Sequence, residues 1–483
     1  MSKPNFLIVM TDHQRGDTVC PSDPCITPNV EGLAEQGVSF TETYVPMAHC
    51  CPSRATFLSG LYPSRHGVWN NVDNPMALSR GLADGVRLFS EDLRDAGYNL
   101  AYSGKWHVSA VEGPSDRGWV DLDPRRRQTP QYAAEVWEQL RRAAKQPPPE
   151  PRDGDCPMPG YQPHTLYFDS DAPHGDERVC ERAIEALPRL AQDGRPWCLF
   201  IGFSMPHAPY RAPHRYVDLY DPDGVELPES FADTLEDKPN YYRKLREMHF
   251  APLGERKARE AMRRFWAMCT YLDDLFGRVL SALEATGQVD DTVVLYTSDH
   301  GDYNGDHGLF HKGVPCFKGA YHVPAVVRWP AGLEGPGRTV DELVSFADFA
   351  PTFLELAGVE TDRRFTGKSL APLLRDETPA EWRDFICTQC DGVENYFTQR
   401  SIWTKEYKYT YNGFDFDEFY DLRKDPHEMV NRFDDPHYRE VIRDLCRKMW
   451  RFACEEEDHV GSAHYVTIST AAWGPLEALK EDH

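Results

Sequence analysis

Short apolar runs recur along the chain, and most break off in a polar cluster. Phe6-Leu7-Ile8-Val9-Met10 runs into Asp12-His13-Gln14-Arg15. Tyr98 to Ser103 runs into Gly104-Lys105-Trp106-His107, and Pro196 to Phe203 into Ser204-Met205-Pro206-His207. Asp291 to Ser298 runs into Asp299-His300-Gly301-Asp302, and Val323 to Trp329 adds one more run. Unbroken apolar runs, as opposed to alternation, predict strands of a mostly parallel sheet covered on both faces. Ligands of such sheets bind beyond the carboxyl ends of the strands, so these clusters are expected to converge on one rim.

Between the runs the spacing changes to three and four residues. Glu255 to Glu284 carries Met262, Phe265, Cys269, Leu272, Leu275, Val279 and Leu283 on one face and predicts a long helix stopped by Gly287. Helices are also expected at Phe89–Ala96, Glu177–Ala191 and 436–455. Another opens at Thr27-Pro28-Asn29, with Thr27 as cap and Val30, Leu33, Ala34 and Val38 on its buried face. Residues 110–165 show no clear period. Gln146-Pro147-Pro148-Pro149-Glu150-Pro151 and Cys156-Pro157-Met158-Pro159-Gly160 read as irregular, polyproline-like loop that could wall a site. Beyond 375 the texture changes again. Tyr407-Lys408-Tyr409-Thr410-Tyr411 alternates in period two, which predicts an antiparallel sheet in a smaller α+β unit. The expected division is 1–375 and 376–483, with no internal repeat.

Composition narrows the function. The 483 residues, with 77 acidic against 53 basic, give a formal charge of -24, which argues against a nucleic-acid footprint. No apolar run is long enough to cross a bilayer, and Phe6 to Met10 is too short for a secretory signal. Thirteen scattered cysteines fit a reducing compartment better than a disulfide framework, so a cytoplasmic location is expected. Cys387-Thr388-Gln389-Cys390 has no second pair and reads as strand. Gly367-Lys368-Ser369 lacks the upstream glycine and strand of a P-loop.

The densest chemistry lies at His49-Cys50-Cys51-Pro52-Ser53-Arg54-Ala55-Thr56-Phe57-Leu58-Ser59-Gly60. Pro52 suits a first helical position and Gly60 a stop. Cys50 then sits just ahead of a helix N-terminus, where a thiol is unusually acidic. Cys-x-Pro-Ser-Arg followed by Ser-Gly resembles the signature of the type I sulfatases. Asp12, Gly104-Lys105-x-His107, the Pro206-His207 pair, Asp299-His300 and Lys312 follow in that family's order, as does the turn Tyr420 to Glu428.

The resemblance implies an alkaline-phosphatase-like α/β core with a large mixed, mostly parallel sheet flanked by helices. It also implies that Cys50 is oxidised to formylglycine by a formylglycine-generating enzyme. One hydroxyl of the aldehyde hydrate then attacks sulfur, and the other later expels sulfate as the aldehyde re-forms. Metal ligands by analogy are Asp12, Asp299, His300 and the modified Cys50, with His13 standing where the family usually has a second aspartate. Calcium is the usual ion; two imidazoles favour manganese as the alternative. Arg54, Lys105 and Lys312 compensate charge, His107 assists the hydrate's proton, and His207 protonates the leaving alcohol. Asn71, in the Asn70-Asn71 pair, faces the substrate, together with Lys105, His207 and Lys312. The expected activity is hydrolysis of a small sulfate monoester, of a sugar or an aryl alcohol. The local pattern around Cys50 and Asn71 is similar to that of sulfatases acting on amino-sugar 6-sulfates. The alternative is a phosphonate monoester or phosphodiester hydrolase using the same nucleophile. The Lys105–His107 pair favours sulfate; His13 leans the other way.

Overall fold

The computed structural model describes residues 3–124, 130–146, 150, 152–156, 163–377, 379, 381–393, 395–461 and 464–478. Its centre is β1 (Asn5–Asp12), every residue of which is buried. Around it lie β2 (Val38–Phe40), β3 (Asn99–Gly104), β4 (Val120–Asp121), β5 (Trp197–Pro206), β6 (Thr292–Ser298), β7 (Ala325–Arg328) and β8 (Arg338–Val340). They form an eight-stranded sheet in the order β8-β2-β7-β6-β1-β5-β3-β4. Only β7 runs antiparallel to its neighbours. The apolar runs are thus the buried strands that their unbroken character predicts.

Register aligns the strand ends. Met10 is level with Gly202 and Thr297, and Gly104 is level with Gly202. Asp12, Lys105, Ser204 and Asp299 therefore leave the sheet on one edge. Gly104 (φ 101°) and Gly202 permit this, since a Cβ on either would strike backbone of the other strand's end.

Six helices carry most of the packing or the chemistry: α1 (Pro28–Glu35), α2 (Cys50–Ser59), α3 (Phe89–Asp95), α4 (Asp176–Gln192), α5 (Gly254–Ala285) and α6 (Arg439–Glu455). The buried face of α5 contains all seven residues expected of it. In α2, Phe57 stands 5.0–6.2 Å from the rings of Phe89, Phe200, Phe346, Phe349 and Phe353. That cluster fixes the helix whose N-terminus bears Cys50. At the C-terminal end, β9 (Ile386–Cys390), β10 (Gln399–Trp403), β11 (Tyr407–Asn412) and β12 (Glu418–Asp421) form an antiparallel sheet. α6 covers it, with Ile402, Tyr409, Phe419, Ile442, Met449 and Trp450 in a second apolar core.

Several local expectations change. α2 begins at Cys50, two residues early, because Ser53 N donates to His49 O at 3.1 Å. Pro52 is still within the first turn, where no intrahelical N–H partner is needed. Gly60 ends the helix at φ 74°, as expected. Thr27 does not cap α1 with its side chain. The Asp273 carboxylate accepts from Asn29 N and Val30 N at 3.0 and 2.9 Å instead, a charge-assisted bond that local sequence cannot announce. Val38 belongs to β2, not to the helix. Within 110–165 there is a helix, Ala133–Ala143, and a strand pair, Asp155–Cys156 with His164–Thr165. That helix buries no residue, although Ala133, Val136, Trp137, Leu140 and Ala143 recur at helical spacing along it. Of the two proline-rich segments, residues 147–149, 151 and 157–160 lie outside the described residues.

Candidate active site

β1 stops at Asp12, and His13 turns the chain with φ 74°, aiming both side chains across the rim. α2 brings Cys50 to the same place. Donor atoms of Asp12, His13, Cys50 and His300 all lie within 4.8 Å of one another. Cys50 Sγ is 3.5 Å from Asp12 Oδ1 and 3.3 Å from His300 Nε2. Lys105 Nζ pairs with Asp12 Oδ2. Lys312 Nζ reaches Cys50 Sγ at 3.6 Å and His207 Nε2 at 3.4 Å, and also contacts His13 Nε2. Arg54, one turn along α2, donates to Asp299 Oδ2 at 2.7 Å and to Lys105 O at 2.8 Å.

Two predicted residues act from the flank. Asn71 Oδ1 accepts Cys51 N–H at 3.2 Å and so steadies the start of α2. His107 (φ 51°) sets Nε2 3.0 Å from Asp73 Oδ1 and leaves a buried Nδ1 without a partner. Cys51 points into the core, where burial raises its thiol above the ordinary range.

The electrostatics of the rim follow from burial and from the charges crowded around Cys50. Burial pushes the Cys50 thiol up, yet Lys105, Lys312 and His300 together hold it well below its usual range. Asp12 feels burial and Cys50 upward, but Lys105, His207 and His300 bring it down to about 2. Burial, seconded by Lys312, lowers His13 well below its ordinary value and His207 to about 4, so both rings are neutral. Asp299 goes the other way, raised to about 6 by burial and by Asp12. Its Oδ1 has no hydrogen-bond partner and lies 3.7 Å from His300 Nε2. A buried carboxylate oxygen with no donor, beside four metal-competent side chains, fits a divalent cation.

Asp302 ends the Asp299-His300-Gly301-Asp302 cluster, where nothing in the sequence pattern assigns it a role. The structure shows its carboxylate holding the rim together. Oδ2 accepts from His13 Nδ1 at 2.9 Å and from Tyr210 Oη at 2.7 Å, while Oδ1 accepts from Asn304 N and His311 N at 2.8 Å each. The bond to Nδ1 leaves the His13 Nε2 lone pair on the Cys50 side, the arrangement of a carboxylate–histidine–metal triad. Asp73, the partner of His107, was also missed; it lies two residues after Asn71 in a loop with no periodic signal.

The cleft over this rim has a volume near 380 Å³ and is lined by Asp12, Lys105, Trp106, His174, Ser204, His207, Ala208, Pro209 and Arg211. It combines cations for an anionic ester, an apolar wall and the Asp12 carboxylate, which lies 3.5 Å from Cys50 Sγ.

The chain is similar to known proteins over most of its length. The sulfatase family model matches residues 4–359, and the model of the N-sulphoglucosamine sulphohydrolase C-terminal region matches 305–455. The uncharacterized sulfatase YidJ of Escherichia coli K12 is 30% identical over 447 residues, covering 91% of this chain and 85% of YidJ. An N-acetylglucosamine-6-O-sulfatase of Bacteroides thetaiotaomicron is 27% identical over 510 residues, 92% of this chain and 85% of its own. Among solved structures, BT4656 in complex with its substrate D-glucosamine-2-N,6-O-disulfate superposes with a TM-score of 0.72, at 22% identity, over 95% of this chain and 99% of that one. The phosphonate monoester hydrolase of Agrobacterium radiobacter superposes with a TM-score of 0.73, at 26% identity, over 94% and 96%. With the sheet, the rim and these matches together, the chain belongs to the sulfatase family and is a sulfatase, an enzyme that hydrolyses sulfate esters.

Proposed function

We propose that the protein desulfates a small sulfated sugar, with Cys50 as the residue converted to formylglycine by a formylglycine-generating enzyme. The observation that carries this is Cys50 itself. It opens a helix, faces Lys105, Lys312 and His300, and shares a pocket with Asp12 and His13. When formed, the formylglycine hydrate supplies the nucleophile. A divalent ion held by Asp12, His13, Asp299 and His300 would supply Lewis acidity. Two carboxylates suit calcium, and two imidazoles keep manganese as the alternative.

The remaining work falls to side chains. Lys105 and Lys312 flank Cys50 and neutralise the oxygens of the transferring group, with Arg54 behind them. His107 is held above its ordinary value: burial lowers it, and the Asp73 carboxylate 3.0 Å from Nε2 is the charged partner that favours the proton. It is an imidazolium whose Nδ1–H has no other partner, poised to hold a proton at residue 50. His207 donates Nδ1–H to Ala208 O at 2.6 Å, leaving Nε2 toward Lys312 and the cleft. The negative charge of a bound ester raises its proton affinity, so that Nε2 can protonate the leaving alcohol.

The sugar assignment draws on the relative named as an N-acetylglucosamine-6-O-sulfatase. A second reading, phosphonate or phosphate-diester hydrolysis, is favoured by His13 in place of a second aspartate and by the likeness to the Agrobacterium enzyme. All thirteen cysteines are free, which supports action in the cytoplasm. Among the described residues no helix is long and apolar enough to cross a membrane. Peptide mass spectrometry tests the first claim: formylglycine is expected at residue 50. Kinetics on 4-nitrophenyl sulfate beside phenyl phosphonate monoesters test the second. A kcat/KM higher for the phosphonate would replace sulfate as the substrate class, and full activity with an unmodified Cys50 would overturn the nucleophile.

A further inference from the structure

The cleft contains two donors that the reaction at Cys50 does not use. Arg211 follows the Pro206-His207-Ala208-Pro209 turn, and its backbone N–H is tied to Met268 Sδ at 3.2 Å. Its guanidinium lies 5.8 Å above the Phe168 ring, and one Nη1 contact reaches Ala172 O at 3.4 Å. It makes no ion pair with any described acidic residue. In a chain of net charge -24, a half-buried arginine facing a cleft without a carboxylate partner marks a place kept for an anion from outside. Stacking on an aromatic face holds the fork in place without occupying its donors.

His174 stands on the same cleft. Its Nδ1 accepts Asp176 N–H at 3.2 Å and also lies 3.4 Å from Asp176 Oδ2; in the accepting tautomer the ring proton is on Nε2. No described residue accepts from that Nε2–H. Its backbone N–H donates to Tyr271 Oη at 3.3 Å, so the loop carrying it is anchored to α5. Trp106 forms the apolar part of the wall; its ring is turned in by a bond from Nε1 to Glu112 O at 3.1 Å. The cleft thus offers a ring face, the Asp12–Lys105 end that adjoins Cys50, and at Arg211 and His174 a second pair of donors.

We infer that Arg211 and His174 form a second anion subsite, so that the preferred substrate is a sulfated sugar bearing another anionic oxygen group besides the ester that is cleaved. A second sulfate and a carboxylate share the required chemistry: coplanar oxygens for the guanidinium and one more for the imidazole N–H. Arg211 is a specificity-determining residue here, acting on the leaving sugar rather than on sulfur. This inference rests on the sulfatase reading of the same cleft.

Turnover of 4-nitrophenyl sulfate reports on sulfur chemistry alone, and sugars compete with it. With the metal-loaded wild-type enzyme, glucosamine-2-N,6-O-disulfate should inhibit with a Ki about tenfold below that of N-acetylglucosamine 6-sulfate, the size of a charged hydrogen bond gained. A 6-sulfated disaccharide carrying a uronate carboxylate, set beside its reduced alcohol, distinguishes carboxylate from sulfate as the second anion. In Arg211→Ala the ratio of the two Ki values should collapse to about one, and Arg211→Lys should restore part of it. Equal Ki values in the wild type, or a ratio unchanged by Arg211→Ala, would overturn the subsite. Absence of any aryl sulfate turnover would instead break the proposed reaction at Cys50. Calorimetric binding of the same sugars to the folded protein would then still decide whether Arg211 binds an anion.

Discussion

Two arginines, equally buried, show how the candidate catalytic rim differs from the C-terminal sheet. Arg54 and Arg400 have side chains 1% and 2% exposed. Arg400 spends every donor group on its own chain. Nε and Nη2 go to Asp458 at 2.6 and 2.8 Å, and Nη1 to Asp391, Cys390 O and Gln399 O at 2.8–3.0 Å. Nearby, Lys408 pairs with Glu428 and lies 4.4 Å from the Trp403 ring. Arg54 has one carboxylate, one carbonyl, and an Nη2 with no partner. Its neighbours are no better served: Asp299 Oδ1 and His107 Nδ1 are also orphaned, and three cations surround Cys50. A buried charge completed from within holds a fold together. One left incomplete costs stability, and the cost is offset when an ion or an anionic substrate arrives.

The contrast is sharpest at Cys50. Cys50→Ala removes the only group that could carry formylglycine at the centre of the unmet charges, and turnover of aryl sulfate should fall to background while the melting temperature holds. Cys51→Ala, which loses a thiol accepting Val72 N–H at 3.4 Å, should keep turnover within about tenfold, with about 1 kcal/mol of lost stability. Steady-state kinetics with thermal melts on both variants check this. A dead Cys51→Ala beside an active Cys50→Ala would invert the assignment.

The two arginines should then fail in opposite ways. Arg400→Met removes the guanidinium that, with His459, brings Asp391 down to about 2 against the upward effect of burial, and leaves Asp391 and Asp458 with only the half-exposed His459 ring beside them. About 3–5 kcal/mol of stability should go, as for other buried pairs broken on one side, with kcat/KM of the surviving folded enzyme little changed. Arg54→Met leaves Asp299, which is already raised to about 6 and can take up a proton. The fold should tolerate it, while kcat drops about 100- to 1,000-fold, the usual loss for a charge-stabilising donor. Denaturant titrations and kinetics on both variants separate the outcomes. Equal stability losses would dissolve the distinction.

How far this was readable in the sequence follows the same divide. The strands and the residues at their ends were legible because burial on both faces writes an unbroken apolar run, and the rim residues come directly after it. The long helix α5 was legible from its spacing. What escaped were partners brought from afar: Asp273 capping α1, Asp73 behind His107, Asp302 behind His13. Each is an acidic residue in ordinary loop or helix context, whose role exists only once the chain has closed on itself. The helix Ala133–Ala143 did carry a signal, Ala133, Val136, Trp137, Leu140 and Ala143 at helical spacing, and was overlooked ahead of two proline-rich segments.

Asp302 gives a smaller, sharper test. Asp302→Asn keeps size but offers an N–H where His13 Nδ1 and Tyr210 Oη both donate at present. The imidazole loses the bond that fixes its tautomer, and Nε2 is no longer held as an acceptor. Affinity for calcium or manganese should fall about 10- to 100-fold by calorimetry, with circular dichroism unchanged. Unaltered metal affinity in a folded variant would make Asp302 a structural carboxylate of the Arg400 kind.

The smallest expected effect lies at the edge of the Arg400 cluster, where His459 Nε2 meets Asp391 Oδ2 at 2.8 Å. The bond to Asp391 raises the ring above its ordinary value against the opposing effect of burial. A raised folded-state pKa means that the folded state binds the proton more tightly than the unfolded chain. The stabilisation is therefore complete below about pH 6.5, the unfolded value, and fades as pH rises through the higher folded value. The ring is 53% exposed, so solvent screens the pair to a few tenths of a kcal/mol at most. His459→Gln also loses an edge contact with Trp69, at 4.3 Å between ring centroids, but that loss does not depend on pH. Scanning calorimetry should show the wild type melting above the variant by roughly 1 °C more at pH 6 than at pH 9. A gap equal at both pH values would leave only ring packing. A gap wider at pH 9 would mean that Asp391, already engaged by Arg400, gains nothing from a second cation, and that a satisfied buried charge is closed to further partners.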